Sequence, residues 1–324
     1  MILQKVNFVF AICLVLAQGC KDKEQDPAIG SIIQAYSVTD LNKAIVQHNC
    51  GSFATGFRNV LNDSNLSFDA KLFYKSFTTA AKFFDDNSGY VSIENLNGVT
   101  ISDPMNTSRE GVSQLNERDA DSLKITPKLL DIVNYSGAGF FTYRLVNPAS
   151  NAKENYLTYV NTISGLGAYT RSGFFENKAS KLYSQNDINE LVVKNGVSSM
   201  AKAFGKIKSD FGLDSAKYIK TLRSFLQNIR FFDNQSGYYY ILDMNGINIV
   251  QPPDPSVQGT NRYDLKDSRG TYLVRGLIDV AKNGGGFYTY YYINYQTNKE
   301  QMKKAFIAPI PGTNFFLGAG VYLN

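Results

Sequence analysis

The stretch Phe83-Phe-Asp-Asp-Asn-Ser-Gly-Tyr90 returns 148 residues later as Phe231-Phe-Asp-Asn-Gln-Ser-Gly-Tyr238. The same offset carries Phe77 to Phe225, Gly98 to Gly246, Pro104 to Pro252 and Gly111 to Gly259. An offset of 147 carries Asp40-Leu-Asn42 to Asp187-Ile-Asn189, Phe57 to Phe204, Leu66 to Leu213 and Gly139-Phe-Phe-Thr-Tyr143 to Gly286-Phe-Tyr-Thr-Tyr290. One-residue length changes in loops account for the drift. The chain of 324 residues is one module written twice, and about 150 residues is enough for each copy to close a core.

The residues ahead of the repeat read as a targeting segment. Lys5 precedes an apolar run from Phe8 to Ala17, too short to span a bilayer stably. The run ends in Leu16-Ala17-Gln18-Gly19-Cys20 before the charged Lys21-Asp-Lys-Glu-Gln-Asp26. Small residues just before a cysteine resemble the lipobox of bacterial lipoproteins, which implies acylation at Cys20; an ordinary cleaved signal peptide is the alternative. Acyl chains on one cysteine hold a protein on a membrane without a spanning helix. With Cys13 removed and Cys20 lipidated, Cys50 is left as the one thiol of the folded body, so no disulfide staples it. The expected boundaries are a signal segment over 1–20, a tether over 21–38, module 1 over 39–176 and module 2 over 177–324.

Periodicity divides each module in the same way. A helix capped by Thr39 or Asp40 is expected to reach about Leu61, and a second to end at Phe84. In the second copy Tyr218, Leu222, Phe225, Leu226, Ile229 and Phe232 form one apolar stripe at helical spacing. After each Ser-Gly the period changes to that of strands, and Asn97-Gly98 and Asn245-Gly246 mark hairpins. A short helix, a glycine stop and three further strands follow. The 21 Tyr and 22 Phe, without any Trp, favour half-buried strands and tyrosine-lined concave surfaces. The expected fold class is α+β, each module an antiparallel sheet of about five strands with its N-terminal helices packed on one face.

These motifs resemble a known family. Phe-Phe-Asp-x-x-Ser-Gly-Tyr, the strand ending in Asn-Gly, the Pro before a Gly-bearing loop, Gly-Gly-Phe-x-x-Tyr and Pro-Ile-Pro-Gly-Thr-x-Phe-x-x-Gly-x-Gly-x-Tyr are similar to Cache domains of the single-Cache type 2 group. The resemblance is specific over Phe231–Tyr322 and weaker over Phe83–Phe175. It implies two tandem PAS-like modules that supply extracytoplasmic sensing, and a pocket for small carboxylates on the sheet under the loop after the second strand. Carried onto module 2, it points to Gln251 (in place of the family's His), Asn261, Tyr290, Tyr292 and Lys303 as ligand-binding residues. Tyr240 is a further hydroxyl within that strand set. In module 1 the equivalents are Asp103, Tyr143 and Tyr156, so an anion stands where Gln251 does and no lysine occupies the place of Lys303.

A carboxylate leaving water needs a compensating cation or several donors. Lys303 with tyrosine hydroxyls meets that need in module 2. The expectation is that a small organic anion binds module 2, and that module 1 is degenerate or takes a cationic or neutral ligand. Tyrosines at alternate strand positions are more often packing than pocket, and Lys303 beside Lys304 reads equally as one of two solvated charges at a strand start.

Other classes find little support. His48 is the single histidine and falls on an expected helix, which leaves no multi-His metal site and argues against a His-based triad. No phosphate-cradling glycine loop is present, and a net charge of +5 without a Lys/Arg cluster is not a nucleic-acid footprint. No cofactor and no enzymatic activity are expected. The chain reads as a membrane-anchored, periplasmic or outer-membrane sensor lipoprotein that binds its ligand and passes the signal to a transmembrane receptor or kinase partner. A structural envelope lipoprotein with filled pockets and a solute-binding lipoprotein of a transporter are the alternatives.

Overall fold

The structure is a computed structural model that describes residues 34–323. The targeting segment and Cys20 lie outside the described residues. In chain order the elements of module 1 are β1 (Tyr36–Ser37), α1 (Val38–Leu61), α2 (Ala70–Ala80), β2 (Ser92–Asn95), β3 (Thr100–Ser102), α3 (Ile125–Tyr135), β4 (Ala138–Asn147), β5 (Ala152–Ile163) and β6 (Ala168–Phe175). Module 2 repeats them as β7 (Leu182–Tyr183), α4 (Gln185–Asp210), α5 (Ser215–Leu226), β8 (Tyr239–Asp243), β9 (Asn248–Val250), α6 (Leu273–Lys282), β10 (Gly286–Asn294), β11 (Lys299–Pro309) and β12 (Phe315–Tyr322). The two five-stranded sheets are antiparallel throughout, with strand orders β3-β2-β6-β5-β4 and β9-β8-β12-β11-β10. The α+β class and the five-stranded modules agree with the sequence reading; β1 falls inside the stretch expected as tether.

Each long helix begins at a capping box one turn earlier than expected. The Ser37 hydroxyl accepts the Asp40 amide (3.1 Å) while the Asp40 carboxylate accepts the Ser37 amide (3.0 Å), and Ser184 with Asp187 repeats the arrangement. The second helices stop at Ala80 and Leu226 instead of running to Phe84 and Phe232. Phe84 and Phe232 take left-handed backbone, and Phe83 and Phe231 bridge back to Gly89 and Gly237. A Cβ on either glycine would meet the bridging phenylalanine ring at 2.1–2.2 Å, so the repeated Ser-Gly is what lets the ring lie across the chain.

Helices cover both faces of each sheet, not one. Leu157, Tyr159 and Phe174 face α1, whereas Val160, Tyr169 and Tyr143 face the short helix α3. In module 2, Tyr239, Ile241, Leu317 and Ala319 face the long-helix layer, whereas Tyr240, Leu242, Phe316 and Ala305 pack under α6. Alternation along a strand sends successive side chains to opposite faces, and the short helices are amphipathic enough to close the second one.

The long helices also join the modules. α1 lies against β5 and β6, α4 against β11 and β12, and α1 packs on α4. The second helices cross over, α2 onto α4 and α5 onto α1. The arrangement has an approximate two-fold axis, on which residues meet their own repeat equivalents. Phe77 stacks on Phe225 with centroids 5.0 Å apart, and Tyr36 pairs with Tyr183. Phe57 and Phe204 close the cluster edge-on, at 5.0 Å from Phe77 and 5.2 Å from Phe225 respectively. Cys50 is buried in the same core, its thiol pushed up to about 12 by desolvation.

Because this core is shared, the modules should unfold together. Phe77→Ala or Phe225→Ala should each cost about 3–5 kcal/mol and leave a single urea transition seen alike by far-ultraviolet dichroism and tyrosine fluorescence. Two separate transitions in the wild-type protein would show that each module closes its core alone.

Candidate ligand site

In module 2 the strand register assembles the site on the face turned away from α4. Tyr290 lies opposite Lys303, and Lys303 opposite Tyr322, across β10, β11 and β12. Tyr240 on β8 lies opposite Gly318. A Cβ at Gly318 would come within 2.4 Å of the Tyr240 ring, and one at Gly320 within 2.9 Å of Lys303 Cε. The two glycines therefore leave the floor on which the ring and the lysine stem rest.

Lys303 is 0% exposed. Its Nζ stands 4.0 Å from the ring centroid of Tyr238, 4.7 Å from Tyr322 and 5.8 Å from Tyr240 and Tyr292. Its one hydrogen-bond contact is the Tyr322 hydroxyl at 3.5 Å, and that hydroxyl donates to the Ile293 carbonyl at 2.6 Å. Among the described residues no carboxylate pairs with the amine, and desolvation by burial brings its pKa down to about 7. Ring faces attract a cation and are the compensation the protein supplies. Burial raises the phenols of Tyr238, Tyr240, Tyr290, Tyr292 and Tyr322, so they stay neutral donors.

Beside the lysine, the rings of Tyr238, Tyr240, Tyr290 and Tyr292 wall a cavity of about 30 Å³, room for about one or two waters. Gln251, Asn248 and Arg262 supply its polar lining; Leu273, Val274 and Leu277 from α6 supply the apolar side. Asn248 Oδ1 is buried without a hydrogen-bond partner. Arg262 is half-buried, stands near Tyr292, and its guanidinium makes no ion pair or side-chain hydrogen bond with another described residue. Two basic side chains without an acidic partner among the described residues thus flank one tyrosine-walled cavity, Arg262 on its lining and Lys303 behind the wall.

Module 1 uses the same face differently. Tyr156 occupies the place of Lys303, Arg171 the place of Gly318, and Ser92 the place of Tyr240. The cation enters from the neighbouring strand, over the room that serine leaves. Arg171 bonds Glu94 at 2.8 Å, Glu117 at 3.0 Å and the Tyr143 hydroxyl at 3.1 Å. Tyr169 donates to the other oxygen of Glu94. Arg109 bonds Glu117 at 2.8 Å and stands 3.5 Å from Asp103. Burial alone would raise Glu117, but Arg171 and Arg109 hold it down to about 2. Asp103, Tyr143 and Tyr156 line the resulting cavity of about 110 Å³, together with Tyr90, Arg109, Glu117 and Arg171.

Residues 168–324 match the family model described as Cache domain, and residues 67–186 match the one described as Single Cache domain 2. Between them the matches span both sheets. The chain belongs to the Cache family. Cache modules are extracytoplasmic sensor modules of chemoreceptors and histidine kinases and bind small molecules. Ninety residues are 33% identical to the sensor histidine kinase MctS of Rhizobium johnstonii, covering 28% of this chain and 20% of the kinase. The chain thus spans about a fifth of the length of that curated relative. A methyl-accepting chemotaxis protein of Vibrio parahaemolyticus is 30% identical over 36% of this chain and 79% of its own, with a TM-score of 0.33. A Cache chemosensory domain described for carboxylic acid recognition is 18% identical over 37% of this chain and 82% of its own, with a TM-score of 0.35.

Of the residues named from sequence for the second Cache module, Tyr240, Gln251, Tyr290 and Tyr292 line the cavity, and Lys303 lies directly behind its wall. Asn261 does not belong. It is exposed, and its side chain accepts the Tyr263 amide at 2.8 Å, shaping the loop instead of facing the sheet. Lys303 meets ring faces more than hydroxyls, and it is not a solvated charge. Tyr238, Asn248, Arg262 and Tyr322 were missed. Tyr238 and Tyr322 share the alternation of Tyr240 and Gly320 and were within reach of a period-2 reading; Arg262 sits in a loop whose path no periodicity gives. The first Cache module holds no lysine at the matching place, as expected, yet Arg109 and Arg171 make it richly cationic as well as acidic.

Burying an unpaired ammonium destabilises the fold, and the penalty has a defined pH window. Lys303 is depressed from 10.5 to about 7, so the cost is complete below pH 7 and is relieved as pH rises from 7 toward 10.5. Lys303→Met should therefore raise the melting temperature at pH 6–7, by about 1–4 kcal/mol in stability, and the gain should shrink by pH 10. An equal gain at both pH values would mean that the amine is not desolvated.

Proposed function

We propose that this protein is an extracytoplasmic sensor lipoprotein that binds a small organic anion, of the short-chain carboxylate class, in its second Cache module. The observation that carries the reading is Lys303, a fully buried amine with no acid partner among the described residues, behind a cavity lined also by Arg262, which pairs with none of them either. A carboxylate placed between them would supply the missing counter-charge to both, with Gln251 and the tyrosine hydroxyls as donors to its remaining lone pairs. The ligand is small, because the space is small. Admitting even acetate requires the tyrosine rings to turn, and that rearrangement is the event a partner can read. No catalytic role is proposed for these residues.

The size of the cavity also supports the rival reading, an envelope scaffold whose second pocket is filled by its own side chains. Titration calorimetry separates them. Acetate, propionate, lactate or pyruvate should bind with a Kd on the order of micromolar, about −8 kcal/mol, and Arg262→Gln or Lys303→Met should weaken it at least about tenfold, the loss of one charge-assisted contact. Absence of heat from all four ligands with the folded wild-type protein favours the scaffold.

Membrane attachment is proposed through acylation of Cys20, and output through a transmembrane receptor or kinase. Among the described residues no helix is long and apolar enough to cross a membrane. Cys20→Ser should move the protein from the membrane fraction to the soluble fraction; unchanged fractionation would require another anchor.

A further inference from the structure

The two cations of the second module stand in different surroundings. Arg262 is a half-buried guanidinium on the lining of the cavity. Lys303 is sealed behind the wall, and the titratable groups that face it are phenols: Tyr238 and Tyr240 from β8, Tyr292 from β10 and Tyr322 from β12. Tyr290 lies opposite it, Tyr295 is hydrogen-bonded to Tyr292, and Arg230 stands near Tyr238. None of these groups is a carboxylate. We propose that the site takes up its ligand as an anion together with one proton from solvent, Lys303 being an amine in the empty protein and an ammonium in the complex. The inference rests on the reading of module 2 as an anion site and specifies the species that site accepts.

The balance is simple. The empty protein, an organic anion and a proton give a complex in which the new positive charge on Nζ faces the negative charge of the ligand; no bond other than N–H forms. Without a ligand, the low-polarity surroundings favour the neutral amine, and burial has already moved its midpoint to about 7. A carboxylate within a few ångström reverses the preference, because opposite charges out of water stabilise each other. The net charge entering the sealed layer is zero, so the site receives the equivalent of a neutral weak acid. An arginine in the same place could not do this, since it does not deprotonate.

The test is calorimetry of the whole protein at pH 6 and pH 8.5, in buffers of different ionisation enthalpy, with acetate, propionate, lactate and pyruvate as probes. The expected result is uptake approaching one proton at pH 8.5 and close to none at pH 6, with affinity falling about tenfold per pH unit above 7.5. Lys303→Arg should bind with an affinity flat between pH 6 and 9; if that variant does not fold, the wild-type proton count decides by itself. Binding with no proton uptake at either pH, and a flat affinity, overturns the inference while leaving the anion site standing. No binding of any probe by the folded protein overturns both.

Discussion

The stacked pair Phe77 and Phe225 marks the constraint on which the fold depends. The N-terminal helices of each module pack on those of the other as well as on their own sheet, so buried residues of both modules belong to one core. Crossing the second helices over, α2 onto α4 and α5 onto α1, buries apolar surface of both modules at once. A repeat joined this way has the geometry of a two-fold dimer inside one chain. The residues on the axis are bound to stay alike, because each packs against its own counterpart.

That constraint ends at the sheet. Helix residues of the shared bundle recur, as Phe57 and Phe77 do in Phe204 and Phe225, while side chains turned toward the short helix have separated. Glu94, Arg109, Glu117 and Arg171 of module 1 stand where module 2 has Leu242, Val257, Leu265 and Gly318. The changes are chemically coordinated. Arg171 needs the space that Ser92 leaves and the carboxylates of Glu94 and Glu117; Gly318 needs the Tyr240 ring to cover it. A charge paired within the protein in one module faces an uncompensated amine in the other. The arginines of the first pocket thus lie against its own carboxylates, whereas no described carboxylate lies against Lys303 in the second.

Much of this was legible in the chain. The repeat gave two modules, Asn-Gly and Ser-Gly gave the turns, and the residues at family positions found four of the six cavity candidates on the cavity wall and the lysine just behind it. What failed, failed for local reasons. Helix ends were set too far on, because the apolar stripe continues through Phe84 and Phe232 after the backbone has left the helix. Asn261 was placed by the family resemblance in a loop, where a single backbone turn decides whether a side chain faces the sheet or solvent. The arginines of module 1 were overlooked because they come from other strands and loops than the residue they functionally replace. Alternation reports faces, not partners.

The same alternation joins the ligand face to the bundle within one strand. Tyr238 and Tyr240 form the wall of the site, and Tyr239 between them points the other way, its hydroxyl 2.6 Å from Nε2 of His48 on α1. Burial holds His48 down to about 4, so above that pH the pair is a neutral imidazole and a phenol. On the other side of the axis Asn195 of α4 accepts the Phe84 amide at 2.7 Å, a few residues before Tyr90 in the first pocket. Each long helix is thus bonded into the segment that leads to the other module's site. Strand β8 therefore carries a wall of the second pocket on one face and, through Tyr239 on the other, a bond to α1, the helix on which the sheet of module 1 rests.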